Sequence, residues 1–160
     1  MKLEENEMRD VSYEVRNFLR SYHFLKDLSF DPEELNHVAQ LTLLAVSCRS
    51  LIEYFELRKC RSSTDYRYKG ADISGVDAIK ANEIWLSISR GASHLSQVRD
   101  LKRDVTLSEW LDCLKLALGH FFENVEGLPR EHQELWNALK KHDGLSVGTV
   151  TTFPTSHIVK

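Results

Sequence analysis

Apolar residues recur at spacings of three and four along most of this chain, which is the pattern of amphipathic helices. The first such run falls within residues 3–28. Its apolar positions are Val11, Val15, Phe18, Leu19, Tyr22 and Leu25. The pattern predicts a long first helix with one face directed at a core.

Helix-start signals mark a second helix. The sequence Asp31-Pro32-Glu33-Glu34 combines a cap residue, a proline suited to the first helical position and a carboxylate three residues after the cap. This helix is expected to run to about Leu57. Residues 58–75 lack helical periodicity and are rich in loop-forming residues, which predicts a long connection. A third helix is expected to resume near Val76 and to continue to the region 94–99.

Two further helices are predicted in the second half of the chain. Thr106-Leu-Ser-Glu109 is a capping-box pattern, and it predicts a fourth helix that ends near Asn124. Leu128-Pro129 predicts the start of a fifth helix, which Asp143-Gly144 stops.

Together these elements predict an all-α fold, an up-and-down bundle of about five helices. A chain of 160 residues is long enough to bury one core, so residues 1–144 are expected to form a single domain. Residues 145–160 are rich in Ser, Thr and Val and contain one proline. We expect an extended or disordered tail there, with a strand or a packing arm as alternatives.

Composition narrows the function classes. A content of 42% hydrophobic and 28% charged residues is typical of a folded protein, and a net charge of -3 disfavours an overall electrostatic grip on nucleic acid. The three cysteines form no CxxC pair and have no histidine at zinc-ligand spacing, so neither structural zinc nor a disulfide framework is expected. No cofactor is expected. The chain has no apolar run of about 18 residues and no signal-peptide pattern at its start, which predicts a cytoplasmic protein without a membrane span.

A local basic cluster is the first candidate for nucleic-acid binding. Its members are Arg58, Lys59, Arg61, Arg67 and Lys69. Tyr66 and Tyr68 are interleaved with them, and the local charge is +4 once Asp65 is counted. Basic and aromatic side chains together suit a nucleic-acid strand, whereas a solvated loop is the alternative interpretation.

The predicted third helix carries the second candidate. On a helical wheel one arc is apolar and faces the core: Ala81, Ile84, Trp85, Ile88, Ala92 and Leu95. A separate polar stripe contains Glu83, Ser87, Arg90 and His94. Arg90 and His94 thus lie one turn apart, where both can reach one anion.

A histidine can take a proton from a ribose 2′-hydroxyl while a guanidinium stabilises negative charge on the phosphate, which is the chemistry of metal-independent RNA cleavage. The alternative is a solvated or interface-facing stripe.

Two segments taken together resemble a branch of the HEPN superfamily, helical domains of prokaryotic toxin–antitoxin and phage abortive-infection systems. The first is Leu44-Ala-Val-Ser-Cys-Arg-Ser-Leu-Ile-Glu-Tyr-Phe55, similar to the second-helix signature of that branch. The second contains Trp85, then Ala92-Ser93-His94-Leu95-Ser96 and Arg99. The resemblance implies a homodimeric bundle, an antitoxin or other protein partner and, in active members, RNA cleavage without a metal.

The chain departs from the family pattern at two points. Active members place the arginine so that it corresponds to position 87, 88 or 89, where this chain has Ser87, Ile88 and Ser89, so Arg90 is one residue too close to His94. The tyrosine that antitoxins modify in one branch is replaced by Ser96.

The sequence therefore predicts two alternative functions. The first is an RNA-directed protein in which His94 is the acid/base and Arg90 binds phosphate, dimerising through the face that bears both. The second is a non-catalytic dimerisation or interaction module that binds a partner protein or a nucleotide. In a third interpretation His94 is structural and donates a hydrogen bond to a carbonyl of the second helix or to Glu53.

Overall fold

The computed structural model describes residues 1–58, 68, 76–92 and 107–142. Within these residues all regular structure is helical, which confirms the predicted all-α bundle. The helices are α1 (Glu5–Leu25), α2 (Leu35–Tyr54), α3 (Ala78–Ala92), α4 (Leu107–Asn124) and α5 (Arg130–His142). None of them is long and apolar enough to cross a membrane.

One continuous apolar core joins the described helices. All six apolar positions predicted for α1 are buried. The largest fully buried side chains include Phe18 and Leu19 of α1, Leu51 of α2, and Trp110 and Phe121 of α4. Burial of one such side chain stabilises the fold by about 1.5–3 kcal/mol.

The start of α2 differs from the prediction. The helix begins at Leu35, a few residues after the expected start, because Asp31 caps a turn instead of the helix. Its carboxylate Oδ1 accepts a hydrogen bond from the amide of Glu33 at 2.9 Å, and its carbonyl accepts one from the amide of Glu34 at 3.2 Å. An aspartate in such an Asx turn competes with helical hydrogen bonding.

The end of α2 comes at Tyr54, earlier than expected, and is closed by a Schellman motif. The amide of Glu56 donates to the carbonyl of Glu53, and the amide of Leu57 donates to the carbonyl of Ile52, each at 3.0 Å. Glu56 has φ = 52° in the left-handed region, a position that usually holds glycine. Leu57 is buried, so the chain turns back against the bundle and delivers Arg58 next to α3.

The start of α3 is fixed by Asp77, whose Oδ1 accepts hydrogen bonds from the amides of Ile79 and Lys80 at 2.9 and 3.1 Å. This is the usual role of an N-cap aspartate. The expected continuation of this helix through 94–99 lies outside the described residues.

The boundaries predicted for the last two helices are confirmed within a residue or two. Trp136 of α5 stacks on Phe122 of α4 with ring centroids 5.3 Å apart. His23 Nε2 of α1 lies 3.0 Å from the carbonyl oxygen of Leu135, and Arg20 pairs with Glu131. The fifth helix is thus attached to both α1 and α4, whereas the predicted tail 145–160 lies outside the described residues.

Candidate functional site

Four side chains from α2, its C-terminal turn and α3 form one cluster, here called the Trp85 cluster: Arg49, Glu53, Arg58 and Trp85. The indole Nε1–H of Trp85 donates a hydrogen bond to Oε1 of Glu53 at 2.7 Å. The guanidinium carbons of Arg58 and Arg49 lie 3.5 and 4.8 Å from the centroid of the Trp85 ring. Both arginines therefore make cation–π contacts with one indole, each of which stabilises by about 0.5–2 kcal/mol.

The charges in the Trp85 cluster are only partly balanced. Glu53 is 7% exposed, and its carboxylate lies 3.8 Å from Nε of Arg49, one helical turn earlier. Glu53 thus offsets one of the two guanidinium charges and leaves a local charge of +1. A buried carboxylate needs such partners, because an unpaired buried charge is strongly destabilising.

Two polar atoms beside Trp85 are buried without a hydrogen-bond partner: Nε of Arg58 and Oγ of Ser89. Ser89 follows Trp85 by four residues, so both residues lie on the same face of α3. Buried polar atoms without a hydrogen-bond partner are uncommon in folded proteins.

The polar stripe predicted on α3 is confirmed where the structure describes it. Glu83 and Arg90 are exposed, and Ser87 is partly exposed. On the opposite arc, Ala81, Ile84 and Ile88 are buried, while Trp85 is only partly buried. The predicted partner of Arg90, His94, lies outside the described residues, so the juxtaposition of the two stays a prediction.

Of the basic cluster predicted from the sequence, the structure describes one member, Arg58. Arg58 is partly buried and lies on the Trp85 ring. The other predicted contributors lie outside the described residues: Lys59, Arg61, Arg67 and Lys69. The α2 turn thus brings one arginine of this cluster onto the helix that bears Arg90.

The proposed contribution of Tyr68 to nucleic-acid stacking is wrong, because its side chain is 6% exposed. Its amide donates to the carbonyl of Tyr54 at 2.9 Å, and its hydroxyl lies 2.9 Å from Nδ1 of His120. The ring packs edge-on against Phe55 and Phe121, and burial raises the pKa of Tyr68. Tyr68 therefore anchors the connection between α2 and α3 in the core, and the partly buried His120 packs against its ring.

The described cysteines show no reactive features. Cys48 and Cys113 are buried free thiols. Burial raises the pKa of Cys113 to about 12 and the pKa of Cys48 well above its ordinary value, which disfavours the nucleophilic thiolate. Among the described residues no group of three potential ligands could hold a metal ion.

Sequence reasoning missed Arg49 as a site residue and weighed Glu53 only as a partner for His94. The usable signal was the pair of charges one turn apart within the otherwise uncharged second half of α2. Their relation to Trp85 depends on how α3 packs against α2, which helical periodicity does not specify.

The two segments that carry the family resemblance contact each other in the structure. Glu53 belongs to the first and Trp85 to the second, and the hydrogen bond between them joins the segments directly. No protein-family model, curated protein or solved structure matches this chain. The resemblance therefore depends on these residues of the chain itself.

Proposed function

We propose that this chain is a HEPN-like helical protein of a defence or stress system that acts on RNA by metal-independent cleavage. The observation that carries the proposal is the contact between Glu53 and Trp85, which joins the two motif segments. That contact holds α3 against α2 while Arg90 remains exposed. His94 follows Arg90 by one helical turn in sequence.

The chemistry assigned to these residues needs no metal. His94 takes the proton of a ribose 2′-hydroxyl as that oxygen attacks the adjacent phosphate. The bond from phosphorus to the 5′-oxygen breaks, and the protonated His94 gives its proton to that leaving oxygen. Arg90 supplies fixed positive charge where the phosphate gains negative charge. The expected products carry 2′,3′-cyclic phosphate and 5′-hydroxyl ends.

We further propose that the functional unit is a homodimer formed through the face of α3 that bears Arg90. A two-fold interface brings the same patch of both subunits together, so two polar stripes can line one cleft. We also propose an antitoxin or other protein partner, because the resemblance to the HEPN superfamily implies one.

The proposal is tested by incubating purified protein with end-labelled single-stranded RNA in EDTA. The wild type is compared with His94→Ala and Arg90→Ala, and His37→Ala serves as the matched control. His37 lies near the start of α2, about 24 Å of helix rise from Glu53. Circular dichroism and gel filtration establish that all four proteins share one fold and one oligomeric state.

Cleavage by the wild type and by His37→Ala, with loss of about 100-fold or more in His94→Ala, supports the proposal. Equal cleavage by the wild type and the folded His94→Ala variant overturns the assignment of His94. Absence of cleavage by a folded wild type overturns the nuclease function.

A second candidate function, a non-catalytic interaction module, is favoured by a different observation on α2. Leu35, Leu43 and Val46 are 83%, 39% and 44% exposed along that helix. Exposed apolar stripes of this kind mark protein-interaction surfaces. Under this function, His94→Ala leaves binding of the partner unchanged, whereas Leu43→Lys weakens it.

A further inference from the structure

We infer that Arg49 and Arg58 form a phosphate-binding site beside Trp85 that holds the backbone of single-stranded RNA. The inference depends on the proposed function in one respect, that RNA supplies the phosphate. It adds contacts outside the Arg90/His94 stripe, and these contacts position a strand without reacting with it.

The first support is the pairing of two guanidinium groups on one indole ring. The guanidinium carbons of Arg58 and Arg49 lie 3.5 and 4.8 Å from the centroid of the Trp85 ring. Each guanidinium carries several N–H donors, and phosphate oxygens accept from such donors. A charge-assisted hydrogen bond from such a donor contributes more than a bond between neutral groups.

The second support is the rigidity of the arginine that carries most of the site. The Schellman motif at Glu56 and Leu57 fixes the backbone just before Arg58. The Trp85 ring then holds its guanidinium at 3.5 Å. A stacked guanidinium loses little rotamer entropy on binding, so it is well suited to a phosphate.

The third support is the charge distribution. The side chain of Arg49 is 41% exposed, so its guanidinium is accessible from solvent. Glu53, the one acidic member of the cluster, accepts the indole N–H of Trp85 and also lies 3.8 Å from Arg49. With its carboxylate engaged on the protein side, the accessible part of the cluster is positive and attracts an anion.

The site is tested by fluorescence anisotropy with the full chain and a fluorescein-labelled 12-nucleotide 2′-O-methyl uridine RNA in EDTA. The methylated 2′-oxygen has no proton to lose, so the proposed cleavage cannot consume this probe. The variants are Arg58→Met and Arg49→Ala, with Arg130→Ala as the charge-matched control. Methionine keeps an apolar stem against Trp85, so Arg58→Met removes the charge with little loss of packing. Arg130 is an exposed arginine on α5 that pairs with Glu134, far from the cluster in sequence.

We expect each cluster variant to weaken RNA binding about tenfold, because each loses one charged hydrogen-bond donor. The slope of log affinity against log salt should fall by about one for each arginine removed. Arg130→Ala should bind as the wild type does.

Equal binding by Arg58→Met, Arg49→Ala and Arg130→Ala overturns the site, as does failure of the wild type to bind the RNA. Cleavage is scored in parallel on the same proteins. If the wild type cleaves through His94 but the cluster variants bind normally, this site is refuted and the nuclease function stands. If the cluster variants lose binding but the wild type does not cleave, the site stands and the nuclease function is refuted.

Discussion

The indole nitrogen of Trp85 donates a 2.7 Å hydrogen bond to the buried carboxylate of Glu53, and this bond joins α3 to the C-terminal end of α2. It matters for function because α3 carries the exposed Arg90 and leads to His94. The orientation of the candidate site therefore depends on a contact made on the opposite side of the same helix.

Replacing Glu53 tests the strength of that contact. Glu53→Ala leaves the indole N–H without its acceptor and the two arginines without their counter-charge, so we expect a loss of about 2–4 kcal/mol in the free energy of unfolding. Glu53→Gln keeps an acceptor for the indole and should cost less than the alanine variant. Urea denaturation of both proteins measures the difference, and equal losses would show that charge rather than the hydrogen bond to Trp85 stabilises the cluster.

Glu56 is expected to strain the turn that ends α2, because it occupies the left-handed region with φ = 52°. Glu56→Gly and Glu56→Ala both remove the side chain beyond Cβ, so the difference between them isolates the backbone. Glycine should be more stable than alanine by about 1 kcal/mol. Thermal or urea unfolding checks this value, and an alanine variant as stable as the glycine variant would contradict it.

Tyr68 is expected to stabilise the fold mainly through its ring. Tyr68→Phe removes only the hydroxyl contact with His120 and should cost about 1 kcal/mol. Tyr68→Ala also removes the ring packed against Phe55 and Phe121 and should cost about 3–5 kcal/mol. A Tyr68→Ala variant as stable as the wild type would show that the connection is not anchored there.

His132 makes the fold sensitive to acid. It is 4% exposed, and burial lowers its pKa, an effect to which the neighbouring Arg16 and Arg20 add while Glu131 opposes it. A histidine with a lowered pKa in the folded state binds fewer protons there than in the unfolded chain, so stability falls as the pH drops below the unfolded value of about 6.5.

We therefore expect the free energy of unfolding to decrease between pH 7 and pH 5. Because leucine does not titrate, the free energy of unfolding of His132→Leu should change less with pH than that of the wild type. This expectation holds whatever the substitution does to stability at pH 7. Urea titrations of both proteins at three pH values give the slopes. A slope as steep in His132→Leu as in the wild type would assign the acid sensitivity to other groups.

Helical periodicity predicted the number and order of the described helices because each one buries a single apolar face. The ends of α2 were less predictable. Asp31 and the residues after it match both an N-cap and an Asx turn, and the sequence alone does not decide between the two hydrogen-bond patterns. At the other end, Glu56 closes the helix in a conformation that sequence rules reserve for glycine.

The candidate site was predictable only in part, for a physical reason. The exposure of Arg90 follows from the wheel of one helix, and the wheel placed it correctly. The contact of Arg49 and Arg58 with Trp85 depends on the packing of two helices and on the turn after α2. Likewise, a tyrosine within a basic stretch suits either a nucleic acid or a core, and Tyr68 lies in the core.

The measurement that tests the central claim most directly is cleavage of a 5′-end-labelled RNA by the wild type and by His94→Ala, in EDTA and at equal protein concentration. The account predicts wild-type products with 2′,3′-cyclic phosphate ends and their loss in a His94→Ala protein that keeps the wild-type fold and size. Intact RNA in the presence of folded wild type, or identical products from both proteins, would contradict it.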